Sequence, residues 1–357
     1  MTDLESNRKP VVSVVVPAFN AAATIEVVLL ALFQQEFDLP YEVIVVDDGS
    51  SDMTREKVLS FKQVRYVFQN NAGPAAARNH GAREAKGRIL CFTDSDCRAH
   101  PDWLEKVTKP LLEQVDRVLS QTPQQVSYPG WGRETAHRPF LMVAAVAGSY
   151  GIANSKSWLA RMIHQEILFR HQRLPQDIRA FGSYNVGILK SVFDQVGGFN
   201  EIYRRASGED NDLSYRFLRK GYKIRFEPQA LVDHFHPQRP VKYLQEQFRH
   251  GYWRSQMYVD HPQMLGGDDY TFWKDSFEIF LVLLLFTFVP LALVIAAFRV
   301  LAWSIALLLL GIELIFGWRI TRHMADGFAF GWVMFLRGFF RSFGLGCGLT
   351  ARLFRFR

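Results

Sequence analysis

Asp94 and Asp96, one residue apart, follow directly on the apolar run ILCFT. Paired hard oxygen donors just past a buried strand suit a divalent cation. Mg²⁺ is commonly held by one or two carboxylates together with substrate phosphates. The implied ligand is a diphosphate bridged by metal. Glu209 and Asp210, in GEDND, are the best candidates for acid/base work, although acids are also favoured at a helix N-terminus. Asp47 and Asp48 close the run YEVIVV and lead into Gly49, Ser50, Ser51 and Asp52, the last of which reads equally as a helix cap. Pro17, Ala18, Phe19 and Asn20 follow the run VVSVVV. No Walker A sequence and no strand-linked GxGxxG is present, which disfavours P-loop and dinucleotide chemistry.

These polar groups need strands to hold them. Residues 11–16, 41–46, 64–68 and 88–93 are rich in β-branched and apolar side chains, as strands covered on both faces are. Residues 21–33 and 75–85 have helical character between them. The alternation predicts an open, mostly parallel α/β sheet. Ligands of such sheets lie beyond the carboxyl ends of the strands. Three polar strand ends are thereby expected at one rim.

The 357 residues are 48% hydrophobic and 22% charged, which excludes a disordered chain, and three cysteines exclude a disulfide framework. The apolar residues are unevenly spread. Residues 279–298 read IFLVLLLFTFVPLALVIAAF without a charge, and residues 300–318 read VLAWSIALLLLGIELIFGW with Glu313 alone charged. Each is long enough to cross the roughly 30 Å hydrocarbon core, so a transmembrane hairpin turning near Arg299 is expected. Residues 328–349 carry Arg337 and Arg341 on one helix face, which fits an amphipathic interfacial helix better than a clean third span. Gly344, Gly346 and Gly348 allow close helix packing.

Beyond Trp318 stand seven arginines, Arg319, Arg322, Arg337, Arg341, Arg352, Arg355 and Arg357, against Asp326. The positive-inside rule places this end, and with two spans the N-terminal part, in the cytoplasm. The polar start MTDLESNRKP has no signal-peptide core. The basic excess beside the spans implies anionic headgroups as partner and no nucleic acid.

VSVVVPAFNAAATI, VIVVDDGSSD and NNAGPAAARNHGAREAKGRILCFTDSDC together resemble the nucleotide-sugar-binding half of family 2 glycosyltransferases. NVGILKSVFDQVGGFN, GEDNDLSYRFLRKGY and IRFEPQALVDH continue the resemblance, which covers roughly residues 11–253. It implies a GT-A fold of the α/β class. It also implies a donor site framed by Pro17, Ala18, Phe19 and Asn20, with Asp48 (or its neighbour Asp47) recognising the nucleobase. Arg78 borders the diphosphate or forms a structural salt bridge. Asp94 and Asp96 take the metal and the sugar diphosphate, with His234 or the nearby His236 as a third ligand. Mg²⁺ or Mn²⁺ is the implied cofactor. Asp210 is the implied general base and Glu209 its support, while Asn185 is read as a contact to donor sugar or acceptor. Trp131, His137 and residues 148–153 lie between the halves and could supply an aromatic platform.

The expected organisation is a flexible segment 1–10, a nucleotide-sugar half 11–120 and an acceptor half 121–240. An interfacial segment 241–276, a hairpin 277–318 and a basic membrane helix and tail 319–357 complete it. Residues 243–253, YLQEQFRHGYW, lack the QxxRW motif of processive synthases. The implied activity is inverting, metal-dependent transfer from a UDP- or GDP-linked sugar to a hydroxyl of a lipid-linked or glycan acceptor, at the cytoplasmic face of a multi-pass inner-membrane protein. A polyprenyl-phosphate sugar synthase and a non-catalytic scaffold are the alternatives.

Overall fold

A computed structural model describes residues 9–120, 142–205, 207–321 and 323–355. Trp131, His137, Arg322, Arg357 and most of the 1–10 segment lie outside them. In chain order the elements begin β1 (Val12–Ala18), α1 (Ile25–Phe33), β2 (Tyr41–Asp47), α2 (Thr54–Leu59), β3 (Val64–Phe68) and α3 (Pro74–Glu84). There follow β4 (Ile89–Thr93), β5 (Cys97–Ala99), α4 (Trp103–Ser120), β6 (Val143–Ile152), α5 (Trp158–His171), β7 (Asp177–Ile178) and β8 (Asn185–Leu189). The chain ends with α6 (Lys190–Val196), α7 (Glu209–Arg219), β9 (Lys223–His234), α8 (Pro240–Asp260), α9 (Trp273–Val294), α10 (Ala296–Thr321) and α11 (Met324–Arg355). Two compact units form: residues 1–151 with 175–233, and residues 152–174 with 234–357. The α5 segment, expected in an acceptor half, belongs with the C-terminal helices.

The first unit is built on one sheet in the order β3-β2-β1-β4-β8-β6-β9-β5, with β7 on β9. The strands β3, β2, β1 and β4 are parallel neighbours, as the alternation predicts. The mostly parallel expectation stops there, because β8 runs antiparallel to both β4 and β6. Apolar patterning records which faces are buried and carries no strand direction, so the reversal left no mark in the sequence. In the parallel half, Ala18 is paired with Asp47 and Val15 with Phe92. Continuing that register sets Asp94 beside Pro17 and Asp96 beside Phe19, level with Val46 and Asp48, which makes the rim.

The second unit is helical. The helices α9 and α10 are long and apolar enough to cross a membrane. The break between them falls at Ile295, just before the expected Arg299, which lies inside α10. There the Arg299 Nε donates to the Ala292 carbonyl at 2.9 Å, satisfying an acceptor freed at the end of α9. The α11 helix runs along α8, and a Cβ added at Gly344 or Gly348 would lie 2.0 and 2.3 Å from the carbonyl oxygens of Phe248 and Tyr252. Gly346 meets nothing within 4 Å, so of the three glycines it takes no part in that crossing.

Arg337 corrects the reading of α11. Its face was expected at the membrane interface, yet it is buried among protein carboxylates. Its Nη1 donates to Glu166 at 2.7 Å and its Nη2 lies 3.7 Å from Glu278. Arg170 grips Glu166 at 2.8 Å and Asp275 through two bonds of 2.8 and 2.9 Å. Lys274 donates to Glu278 at 3.0 Å and to Glu313 at 2.6 Å. The one acid within the apolar run of α10 is thereby neutralised by the first turn of α9, as charges in an apolar span require. Replacing Lys274 by Met leaves two buried carboxylates short of a cation and is expected to cost about 3–5 kcal/mol. Adding Glu313→Leu should recover much of the loss, as read by thermal denaturation in detergent. Equal stability of wild type and Lys274→Met would refute the pairing.

Candidate active site

The site is assembled at the rim of the first unit, starting from the loop after β1. Pro17 and Ala18 are buried in the sheet, and the Ala18 carbonyl accepts from the Asp48 N–H at 2.8 Å. Phe19 and Asn20 are exposed. Asn20 is tied to the neighbouring strand end, its N–H donating to Ser50 Oγ and its Oδ1 accepting from the Ser51 N–H, both at 2.9 Å. Asp52 reinforces this contact by accepting from the Ala22 N–H at 3.0 Å while also holding the Thr54 N–H at the start of α2. Of the four residues expected to frame the donor, Phe19 and Asn20 therefore present surface, and Pro17 and Ala18 support them.

Asp47 and Asp48 are both buried and engaged. Asp47 accepts from Tyr66 Oη and the Ser50 N–H, each at 2.8 Å. Asp48 accepts from Gln69 Nε2 at 2.7 Å and from the N–H groups of Ala72 and Gly73 at 2.8 and 2.9 Å. Three of about four acceptor positions on this carboxylate are thus spent on the 69–73 loop. Gln69 Oε1 in turn meets His80 Nδ1 at 2.9 Å. Gly73 has φ +96°, and a Cβ there would lie 2.5 Å from the Arg204 carbonyl oxygen, so only glycine fits this turn into α3. Sequence reasoning missed Gln69 and His80 because neither sits in a strand-end cluster.

Arg78, on α3, is 2% exposed. Its Nη2 donates to Asp94 Oδ1 at 2.6 Å, its Nη1 donates to Glu209 Oε1 at 3.1 Å, and its guanidinium lies over the Phe199 ring. The salt-bridge reading of Arg78 is therefore the one realised. Neighbouring Asn79 clamps the 199–201 segment, donating to the Phe199 carbonyl and accepting from the Phe199 N–H, both at 2.8 Å. Asp94 remains 32% exposed and turns with Asp96 through a bond from the Cys97 N–H to the Asp94 carbonyl. Glu209 begins α7 beside Asp210. Burial, helped by the Asp210 charge and opposed by Arg78, pushes the Glu209 carboxyl up to about 7.

Asn185 is engaged by the scaffold. It is fully buried on β8, accepting from Trp103 Nε1 at 2.8 Å and donating to the carbonyls of Ser149 and Ala230 at 2.9 and 2.8 Å. Its polar atoms are consumed in cross-linking the sheet. Within residues 148–153, Tyr150 stacks on Tyr184 with ring centroids 3.7 Å apart. Burial, then the neighbouring Tyr184, Cys97, Asp94 and Asp96, holds the Tyr150 phenol well above its ordinary range. His234 ends β9 and belongs to the second unit, where its Nδ1 lies 2.9 Å from that of His236. In the first unit, the preceding Asp233 binds Arg98 at 2.5 Å and His100 at 3.0 Å.

A sheet of this order with acids gathered beyond its parallel strand ends is a nucleotide-sugar transferase architecture, the GT-A fold. Residues 13–197 match the family model described as glycosyl transferase family 2. That is more than half of the chain, so this protein belongs to family 2 of the glycosyltransferases. It is 29% identical over 243 residues to a chondroitin synthase of Escherichia coli, covering 63% of this chain and 34% of that protein. It is 32% identical over 225 residues to a validoxylamine A glucosyltransferase of Streptomyces hygroscopicus, covering 59% and 52%. It is 29% identical over 258 residues to glycosyltransferase AglE of Haloferax volcanii, covering 70% and 75%. The match thus spans about a third of the synthase and half of the glucosyltransferase.

Replacing Asn185 by Ala should cost on the order of 2–4 kcal/mol, because three buried partners lose their bonds, and leave the KM for donor unchanged. A raised KM at unchanged stability would restore Asn185 as a ligand contact. For Glu209 the folded protein keeps a proton that the unfolded chain releases near pH 4.5. The contribution of Glu209 to stability is therefore fully present at low pH and is lost as the pH rises through about 7. The melting temperature of wild type should fall relative to that of Glu209→Gln across this window, and parallel curves would contradict the assigned burial.

Proposed function

We propose that this chain is an inverting, divalent-metal-dependent glycosyltransferase. It moves a sugar from a nucleoside-diphosphate donor, UDP- or GDP-linked, to a hydroxyl of a lipid-linked or glycan acceptor at the cytoplasmic face of the inner membrane, in which α9 and α10 form a multi-pass hairpin. The observation that carries the reading is that buried Arg78 ties Asp94 to Glu209, each followed within two residues by a further acid, Asp96 and Asp210. Carboxylates gathered in this way suit a divalent metal and a diphosphate.

Asp96, with a share from Asp94, is the proposed hold on Mg²⁺ or Mn²⁺, and His234 the proposed third ligand. The donor set of carboxylates and imidazole fits either ion. When bound, the metal would neutralise charge on the departing nucleoside diphosphate. Phe19 and Asn20, with the loop anchored by Asp48, are assigned to the nucleoside. Asp210 is the proposed general base, accepting the proton of the acceptor hydroxyl as its oxygen attacks the anomeric carbon. Glu209 and Arg78 are positioning residues that fix the start of α7 against Asp94. The stacked Tyr150–Tyr184 pair beside the acids is the proposed apolar face for a sugar ring.

The discriminating experiment is transfer and donor-induced thermal stabilisation with the full chain. Asp96→Asn should abolish stabilisation that requires both Mn²⁺ and a nucleotide sugar. Asp210→Asn should lower kcat by about 10²–10⁴-fold with donor affinity retained. A modest effect of Asp210→Asn would sink the hydroxyl acceptor and favour a phosphate acceptor, which needs little base catalysis.

A further inference from the structure

Within the second unit, α5 and the last turn of α10 enclose a cleft of about 810 Å³ that the transfer chemistry does not use. Gln165 and Phe169 line it from α5, Gln172 and Arg173 from the turn that follows, and Trp318, Arg319 and Thr321 from α10. No acidic side chain lines it among the described residues, so its two guanidinium groups give it a net positive charge. Arg173 is held in place: its guanidinium lies 3.6 Å over the Phe169 ring and donates to the Phe169 carbonyl, leaving other N–H groups for a ligand. Arg319 and Trp318 are exposed.

The level of this cleft follows from helix length. The 26 residues of α10 extend about 39 Å at 1.5 Å per residue, against a hydrocarbon core of roughly 30 Å. Its last turn therefore stands among the headgroups, where tryptophan and arginine are favoured. A cleft of small-molecule size at that level, with two forks of N–H donors and flanking amide and hydroxyl groups, matches one ligand chemistry. It is a lipid phosphate whose headgroup enters the cleft while its chain runs down the apolar side of α10.

We propose that this cleft is a binding site for a phosphate-bearing lipid headgroup, with Arg173 and Arg319 as the phosphate contacts and Gln165, Gln172 and Thr321 as partners for headgroup hydroxyls. The inference rests on the membrane-facing reading of α10 and is independent of the donor site. Two sources share the chemistry: an anionic phospholipid, and a polyprenyl phosphate of the kind that carries glycan acceptors.

The test is native mass spectrometry of the full chain in detergent, without nucleotide or metal, titrated with phosphatidylglycerol, a polyprenyl phosphate and phosphatidylcholine. Wild type should retain one molecule of an anionic lipid. An Arg173→Gln/Arg319→Gln variant should bind it at least about tenfold more weakly while keeping the wild-type melting temperature. Both arginines are surface residues, so folding should survive. Tighter retention of one anionic lipid names the source. Equal retention by the variant, equal retention of phosphatidylcholine, or displacement by inorganic phosphate at matched concentration would overturn the proposal. Because donor binding plays no part in the readout, failure here leaves the transferase reading standing, and the converse also holds.

Discussion

Arg78 carries a full positive charge into a place with almost no solvent, and that cost is offset only where carboxylates meet it directly. The two that do come from opposite ends of the first unit, Asp94 after β4 and Glu209 at the start of α7. One guanidinium therefore fixes two acidic pairs relative to one another, reaching 131 residues along the sequence to Glu209. Asp94 with Asp96 and Glu209 with Asp210 are held together because of this bridge. It also sets their character: Asp94 has the closer bond, while Glu209, left with the longer one and buried beside Asp210, holds its proton unusually tightly.

The same rule governs the second unit. Charges placed in or beside apolar helices are tolerated because each meets a partner from another helix: Lys274 with Glu278 and Glu313, Arg337 and Arg170 with Glu166, Arg170 with Asp275. This network lets α9 and α10 be apolar toward their surroundings while staying bound to α5 and α11. It also leaves fewer arginines for the membrane than the basic tail implies. Arg337 is used internally and Arg352 pairs with Asp260, whereas Arg319 remains at the surface beside the α5 cleft.

Much of the donor half was legible before the fold was known. The strands of the parallel half fall within a residue or two of their expected positions, because a two-face-buried strand must be written as a continuous β-branched run. The acids at their ends stand out for the same reason, as polar residues set directly against apolar ones. Asn185 shows what this reasoning does not reach. Its three partners arrive from Trp103, Ser149 and Ala230, none of them predictable from spacing. Asp48 behaves similarly, since the donors that occupy it lie on a loop more than twenty residues on.

The sequence by itself determined the family, the parallel half of the sheet, the acids set at its strand ends and the two apolar helices, because burial and strand ends write themselves locally in residue type. Tertiary structure alone decided the direction of β8, the inward turn of Arg337, the bridging role of Arg78, and which polar side chains are spent on the scaffold and which face a ligand. Those outcomes depend on which distant donor meets which acceptor in a space closed to water, and no local pattern encodes that meeting.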